Sequence, residues 1–293
     1  MVLARHAVWV CLAGCSYSPS PGQVPTGDGS PGDGPGDTPG VETDAPGDTA
    51  PVPDLIDRGL VLRYFMNEAA SGTTPTMLLD SADAPLPLPI TFGQATFVED
   101  NGHRGLRFPA SQSSGKAEVS IGSSSKLANL MAPARTVTIE VVAQIDNAGA
   151  AGGANESQIT GMRGGNPDFM LTAIGTTDLR FFRPFGNVGA TWNGVHDQQR
   201  MVLHLVFDST QVDSATRIEL FKNSALVPKT TSSPPAQGQQ VGLGGSDDLV
   251  IGNRQQADRS IQGTIFYVAY YNVALSSEEI STNAQHLIVD DDQ

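Results

Sequence analysis

Residues 54–293 consist mainly of short runs in which apolar and polar residues alternate, separated by Gly, Pro, Asn, Ser and Asp. A period of two places successive side chains on opposite faces of a β-strand. The clearest run is 136–145, whose apolar positions share one face: Val137, Ile139, Val141, Ala143 and Ile145. The pattern predicts an all-β fold, an antiparallel β-sandwich in which one face of each strand forms the core.

The predicted strands cover 60–66, 95–98, 105–108, 117–121, 136–145, 158–162, 169–174, 179–183, 201–207, 217–221, 249–251 and 264–271. A helix is predicted only over 275–287. Ser276 and Glu279 have the spacing of a capping box, and Leu275 and Ile280 have that of a hydrophobic staple. We expect this helix to close one end of the sandwich.

Residues 1–14 have the features of a signal peptide. Arg5 supplies positive charge, 7–12 form an apolar run, and small residues precede Cys15. LAGC at 12–15 resembles the lipobox of bacterial lipoproteins, which implies cleavage before Cys15 and diacylation of its sulfur. Two other interpretations stay open: a plain secretory signal with an incidental cysteine, and a redox pair of Cys11 with Cys15.

Membrane attachment is expected through this lipid alone, because no run of about 18 or more apolar residues is present to form a spanning helix. Ser16 follows Cys15 at a position where an aspartate would resemble an inner-membrane retention signal. The expected location after export is therefore the outer membrane, either at the cell surface or on the periplasmic face.

The segment 15–53 follows the leader and is rich in Pro, Gly and Asp, with no basic residue. Such a composition cannot bury a core, and its glycines do not follow the three-residue period of collagen. The segment is predicted to be a disordered tether between the lipidated Cys15 and a domain at 54–293.

The chain is strongly acidic, with 17 Lys and Arg against 31 Asp and Glu and a formal net charge of -14. This charge repels nucleic-acid phosphates and anionic lipid surfaces. Nucleic acid is therefore not an expected partner.

Several segments carry a family pattern. They include GLVLRYFMNE at 59–68, GLRF at 105–108, TVTIEVV at 136–142, RIELFKN at 217–223, and IG, GTI and YNVALSSEEI within 248–280. In this order they resemble the concanavalin A-like lectin/glucanase superfamily in its laminin-G-like form. The resemblance implies a jelly-roll sandwich that contacts glycans or proteins.

The calcium site that this resemblance implies is disfavoured, so no cofactor is expected. Members that bind calcium commonly have acidic residues after the G-x-I motif, whereas Phe266 and Tyr267 stand there and cannot ligate a hard cation. The carboxylates of Asp80, Asp83, Asp247 and Asp248 are typical of surface turns.

Catalysis is not expected from the residues. A glucanase of this fold would resemble a strand with two glutamates flanking an aspartate, but the central strand carries only Glu140, with Asp146 six residues on. The histidines are scattered, and no nucleophile elbow accompanies them. His204, between Val202 and Val206, is interpreted as a core or rim histidine. A polysaccharide hydrolase remains the least favoured alternative.

The candidate ligand-binding residues are Trp192, Asn193, His196 and Asp197 in a predicted loop, with Asn253 and Arg254 in the loop after 249–251. An exposed indole can stack on a sugar, and the polar groups can bond its hydroxyls. Trp192 could instead fill the sandwich edge, and 181–185 (FFRPF) is interpreted as core plus turn rather than an exposed aromatic platform. The favoured function is a non-catalytic lipoprotein whose lectin-like domain binds polysaccharide. The alternative is a structural module that contacts an envelope protein.

Overall fold

The structure is a computed structural model, and it describes residues 53–74, 76–109, 115–122, 125–147, 156–163, 167–183, 187–243 and 247–292. The predicted leader, Cys15 and the tether up to residue 52 lie outside the described residues.

The described residues fold into strands joined by short connections, and two α-helices lie among them. The strands are β1 (Leu60–Phe65), β2 (Met77–Leu78), β3 (Leu88–Gly93), β4 (Thr96–Asp100), β5 (His103–Phe108), β6 (Gly115–Ser120), β7 (Thr136–Asn147), β8 (Glu156–Arg163), β9 (Pro167–Ile174), β10 (Asp178–Arg183), β11 (Val188–Trp192), β12 (Arg200–Asp208), β13 (Ile218–Lys222), β14 (Ala225–Leu226), β15 (Thr231–Ser233), β16 (Asp248–Ile251) and β17 (Gln262–Tyr271). The helices are α1 (Lys126–Leu130) and α2 (Ser277–Val289), and a 3-10 turn covers Ser214–Thr216.

Within the described residues these strands form two antiparallel sheets. The eight-stranded sheet has the order β14-β13-β12-β7-β17-β5-β4, with β1 paired to β17. The nine-stranded sheet has the order β15-β11-β10-β9-β8-β16-β6-β3-β2. The predicted all-β sandwich is therefore confirmed.

The core lies between the two sheets and uses the apolar face predicted for 136–145. Each apolar position of that run is fully buried in one hydrophobic cluster. Phe169, Phe181 and Phe207 meet edge to face in the same cluster, with ring centroids 4.7 to 6.2 Å apart. Such aromatic contacts add to the free energy gained from burial.

The opposite face of the eight-stranded sheet is also buried, beneath α2 and the segment that precedes β1. Leu275, Ile280, Ala284 and Leu287 from the helix side form a second hydrophobic cluster there. The Ser276 hydroxyl oxygen accepts a hydrogen bond from the Glu279 backbone nitrogen, and the Glu279 carboxylate accepts one from the Ser276 backbone nitrogen. The predicted capping box is therefore confirmed. None of the helices in the described part of the chain is long and apolar enough to cross a bilayer.

Glu140 lies in this second layer, fully buried, and accepts four hydrogen bonds. Its Oε1 accepts from His204 Nε2 (2.6 Å) and Asn283 Nδ2 (2.9 Å), and its Oε2 accepts from the hydroxyls of Tyr267 and Tyr271 (2.9 Å each). Burial alone raises the pKa of Glu140, but the His204 ring and these bonds outweigh it, and the pKa lies below its ordinary value. The prediction of a core histidine at 204 is confirmed.

Each predicted strand coincides with an observed one, and no strand end differs by more than two residues. Strands β2, β3, β11, β14 and β15 and helix α1 were not predicted. The most consequential of these is β11, because Trp192 was predicted to lie in a loop. The observed strand ends at Trp192 and pairs with both β10 and β15.

Candidate functional site

A pocket of about 250 Å³ opens on the outer face of the nine-stranded sheet, on the side away from the core. It is called the arginine pocket below, because four guanidinium groups line it. Its lining residues are Glu156, Gln158, Arg163, Met170, Thr172, Arg180, Phe182, Arg254 and Arg259.

Strand register brings the floor of the arginine pocket together. On β10, Leu179 and Phe181 point into the core, so Arg180 and Phe182 point outward. Arg180 pairs with Thr172 on β9, and Thr172 pairs with Gln158 on β8, which forms one row across three strands. A second row runs from Phe182 to Met170 and on to Gly161.

Gly161 keeps this second row open. A Cβ at this position would lie 2.8 Å from the carbonyl oxygen of Phe169 and 3.0 Å from the Gln158 amide nitrogen. Those contacts are closer than real Cβ atoms allow without movement of the neighbours. A residue without a side chain therefore leaves room beside Met170 and Gln158.

The loop between β16 and β17 forms the rim and carries Arg254 and Arg259. Asn253 is fully buried and organises this loop: its Oδ1 accepts from the backbone nitrogens of Arg254 (2.8 Å) and Arg259 (2.9 Å). Its Nδ2 donates to the carbonyl of Gly115 at 3.0 Å. Gly252, just before it, has φ of +80°, and a Cβ there would collide with the ring of Phe108.

Ion pairs hold most of the charged side chains in place. Glu156 accepts from Arg180 at 2.6 Å and from Arg259 at 2.7 Å, one guanidinium on each carboxylate oxygen. Arg254 pairs with Asp258 four residues on. Arg180 also lies over the Phe182 ring, 5.1 Å from its centroid, which is a cation–π contact.

Three residues that line the pocket have buried side-chain atoms without a hydrogen-bond partner, and one of these atoms is the Nε of Arg180. The side chain of Gln158 is 1% exposed, and neither its amide nitrogen nor its oxygen has a hydrogen-bond partner. The Nε of Arg163 also has none. Burial, followed by the charges of Arg254 and Arg259, lowers the pKa of Arg163. Buried polar groups in native proteins usually have a partner, so these atoms are available to bond a ligand or water that enters the pocket.

Trp192 does not have the position expected of a sugar platform. Its side chain is fully buried in the core between the sheets. The expectation of an exposed indole is wrong, because Val188, Ala190 and Trp192 alternate on the inward face of β11. The other interpretation, that Trp192 fills the sandwich near its edge, agrees with the structure.

The rest of the 192–197 candidate set does not form a cavity with the arginine pocket. His196 is buried, and burial lowers its pKa, while Asn193 and Asp197 are exposed. Asp197 forms an ion pair with Lys222 at 3.2 Å. Backbone bonds from Val195 and His196 to the carbonyl of Thr177 fold the segment against the sheet.

Of the second candidate pair, Arg254 lines the arginine pocket and Asn253 only shapes its loop. Direct contact of Asn253 with a ligand stays a prediction without support here, because its side chain is fully buried and makes three hydrogen bonds within the protein. Phe181 belongs to the core as interpreted, whereas the half-buried Phe182 lines the pocket, and 184–186 lie outside the described residues.

Sequence reasoning missed most of the arginine pocket, including Gln158, Arg163, Arg180 and Arg259. Outward positions on adjacent predicted strands could have indicated Arg180 beside Phe182, but the strand order was needed to place Gln158 next to them. Within the described residues, no three His, Cys, Asp or Glu side chains form a group that could hold a metal ion.

No protein-family model matches the sequence, and a search of curated proteins finds no match. Solved structures do share the fold. A sialidase of Trypanosoma rangeli in complex with 2,3-difluoro-KDN aligns with a TM-score of 0.53 and 16% identity, over 78% of this chain and 32% of that chain.

Two botulinum neurotoxin domains also align. The serotype D ligand-binding domain in complex with N-acetylneuraminic acid has a TM-score of 0.54 and 12% identity, over 79% of this chain and 52% of that chain. The neurotoxin DC binding domain in complex with rat synaptotagmin II has a TM-score of 0.55 and 12% identity, over 78% and 52%. This chain thus spans a third to a half of these structures, and the likeness establishes a shared β-sandwich fold.

Proposed function

We propose that the β-sandwich is a carbohydrate-binding module and that the arginine pocket is its sugar site. The observation that carries this proposal is the buried amide of Gln158, whose donor and acceptor both lack partners at the floor of an open pocket. A sugar hydroxyl both donates and accepts, so adjacent hydroxyls can satisfy both ends of the amide. Binding would then recover the free energy lost by leaving these groups unpaired.

The composition of the pocket supports a sugar over a purely apolar ligand. Phe182 and Met170 supply an apolar surface for the C–H face of a sugar ring, and Thr172 and the arginines supply fixed polar groups. Its volume of about 250 Å³ lies just below the range of about 300–1,000 Å³ usual for drug-sized ligands. One sugar residue of a longer chain suits that size.

The similar structures give further support. The Trypanosoma sialidase is in complex with 2,3-difluoro-KDN and the serotype D neurotoxin domain with N-acetylneuraminic acid, and both ligands are nonulosonic acid sugars. These proteins differ from this chain in most of their sequence, so they support the class of ligand and not the position of its site.

We also propose that the module binds without catalysis. Glycoside hydrolysis ordinarily uses two carboxyl groups roughly 5 to 10 Å apart across the scissile bond. Among the residues that line the arginine pocket, Glu156 supplies the carboxylate, and both of its oxygens are occupied by arginines. In this proposal, lipid on Cys15 and the segment 15–53 hold the module at the cell envelope.

A glycan array with the purified full chain tests the proposal, with calcium and with a chelator in parallel. We expect at least one polysaccharide to bind in both conditions. Phe182→Ala should weaken binding roughly fivefold, since an aromatic contact contributes about 1 kcal/mol. Phe182 lies outside the core clusters, so the variant should stay folded.

The matched control is Asn193→Ala, which alters an exposed residue of the 192–197 segment and should leave binding unchanged. Absence of binding to every glycan on the array would contradict the proposed function. Weaker binding by Asn193→Ala, with Phe182→Ala unaffected, would move the site to that segment.

A further inference from the structure

The arginine pocket is cationic on an acidic protein. Four guanidinium groups line it together with the carboxylate of Glu156, whereas the whole chain carries a formal net charge of -14. Burial and, after it, the like charges of Arg254 and Arg259 lower the pKa of Arg163, so its charged form is costly in this pocket. A bound anion would relieve this repulsion.

One guanidinium in the pocket stands apart from the others. Arg180 and Arg259 share Glu156, and Arg254 pairs with Asp258. Arg163 is 7% exposed and forms no ion pair with a described carboxylate, and its Nε has no hydrogen-bond partner. A buried charge without a counterion is expensive unless a ligand supplies one.

We propose that the ligand, under the proposed function, is an acidic sugar whose carboxylate pairs with Arg163 while its ring hydroxyls bond the amide of Gln158. A single unpaired guanidinium matches a single negative charge, and its planar fork fits two coplanar oxygens. A uronic acid and a nonulosonic acid both present this group.

Groups near Arg163 would let the site distinguish an acidic sugar from other anions. Glu156 neutralises part of the charge of Arg180 and Arg259, so the pocket does not attract every anion equally. The unpartnered Nε of Arg180 offers a further donor to the sugar. Phe182, fixed beneath the Arg180 guanidinium, offers the apolar contact.

Binding of the full chain to polygalacturonate and to colominic acid, a sialic acid polymer, tests the inference. Each polymer is compared with its methyl-esterified form, which keeps the sugar and removes the charge. We expect the free acid of at least one polymer to bind about tenfold or more tightly than its ester, with binding weakened by added salt. The polymer that binds identifies the source of the carboxylate.

Arg163→Gln should remove the preference for the free acid. The matched control, Arg104→Gln, removes the same charge from an exposed arginine on β5, paired with Asp292, and should leave the preference intact. Circular dichroism and a thermal melt check that both variants fold. The comparison of acid with ester in the unmodified protein does not depend on any variant.

The outcomes separate this inference from the proposed function. Equal binding of the acid and its ester would overturn the carboxylate assignment and leave carbohydrate binding intact. Dextran sulfate that binds as tightly as the carboxylated polymers would also overturn it, in favour of a general anion site. If no polymer binds, neutral or acidic, both proposals fall.

Discussion

Glu140 provides a sharp test of how the outer layer on the eight-stranded sheet is held. In Glu140→Gln the side chain keeps its size, so no cavity forms, but one carboxylate oxygen becomes an NH2 group. With the amide oxygen towards His204 and Asn283, the hydroxyl hydrogens of Tyr267 and Tyr271 lose their acceptor. With the amide turned the other way, its NH2 group faces the N–H donors of His204 and Asn283, which then lose their acceptor.

The expected loss in the free energy of unfolding follows from the number of donors left without an acceptor. A buried donor left without an acceptor costs about 1–3 kcal/mol, so two of them lower the free energy of unfolding by about 2–6 kcal/mol. Folded domains have total stabilities of about 5–15 kcal/mol, so the change is large enough to measure. Guanidinium denaturation gives the value, and the fluorescence of Trp192, buried in the core, reports unfolding.

The pH dependence adds an independent check. Because the pKa of Glu140 in the folded protein lies below its ordinary value of 4.5, the unfolded chain takes up the proton first as pH falls. The stabilisation from this carboxylate is thus complete above pH 4.5 and is lost progressively as pH falls through the lower folded value. The stability difference between the unmodified protein and Glu140→Gln should shrink over the same acidic range.

The matched control is Glu99→Gln, the same substitution at an exposed position on β4. It should change stability by no more than about 0.5 kcal/mol. If Glu140→Gln proves no more destabilising than Glu99→Gln, the buried network does not hold the outer layer and the reasoning fails.

Two further predictions concern residues that the sequence singled out. Trp192→Ala should lower the free energy of unfolding by about 3–5 kcal/mol, measured by denaturation, because it empties a core position. Loss of sugar binding with unchanged stability would instead show that Trp192 contacts the ligand. Cys15→Ser should move the protein from the membrane fraction to the soluble fraction in cell fractionation, since stable anchoring depends on acyl chains. An unchanged distribution would contradict the predicted lipid anchor.

Local patterns were enough to predict the sandwich and most of its strands. The alternation in 136–145 identified the core face of β7, and the Ser276 and Glu279 spacing identified the start of α2. Both signals are short-range, because they depend on the period of a strand and the geometry of one helical turn.

The buried outer layer could not be predicted in this way. Glu140 lies on the polar face of its run, and a carboxylate at such a position is typical of a solvated surface. Its burial depends on α2, which begins at Ser277 and supplies Asn283 as a hydrogen-bond donor. Only the tertiary arrangement brings these groups together.

The candidate site shows the same limit. Trp192 was predicted to lie in a loop with its indole exposed beside amide and carboxylate groups, yet it ends a short strand that turns its side chain into the core. The arginine pocket joins β8, β9 and β10 to a loop about 80 residues later in the chain, so of its lining residues the sequence indicated Arg254 alone.

The most direct test of the central claim is a crystal structure of the protein with the acidic oligosaccharide that binds it most tightly. The account predicts that the sugar lies on the outer face of the nine-stranded sheet, with its carboxylate against Arg163 and a hydroxyl on Gln158. A sugar bound at Asn193 and Asp197, or anywhere on the eight-stranded sheet, would contradict it.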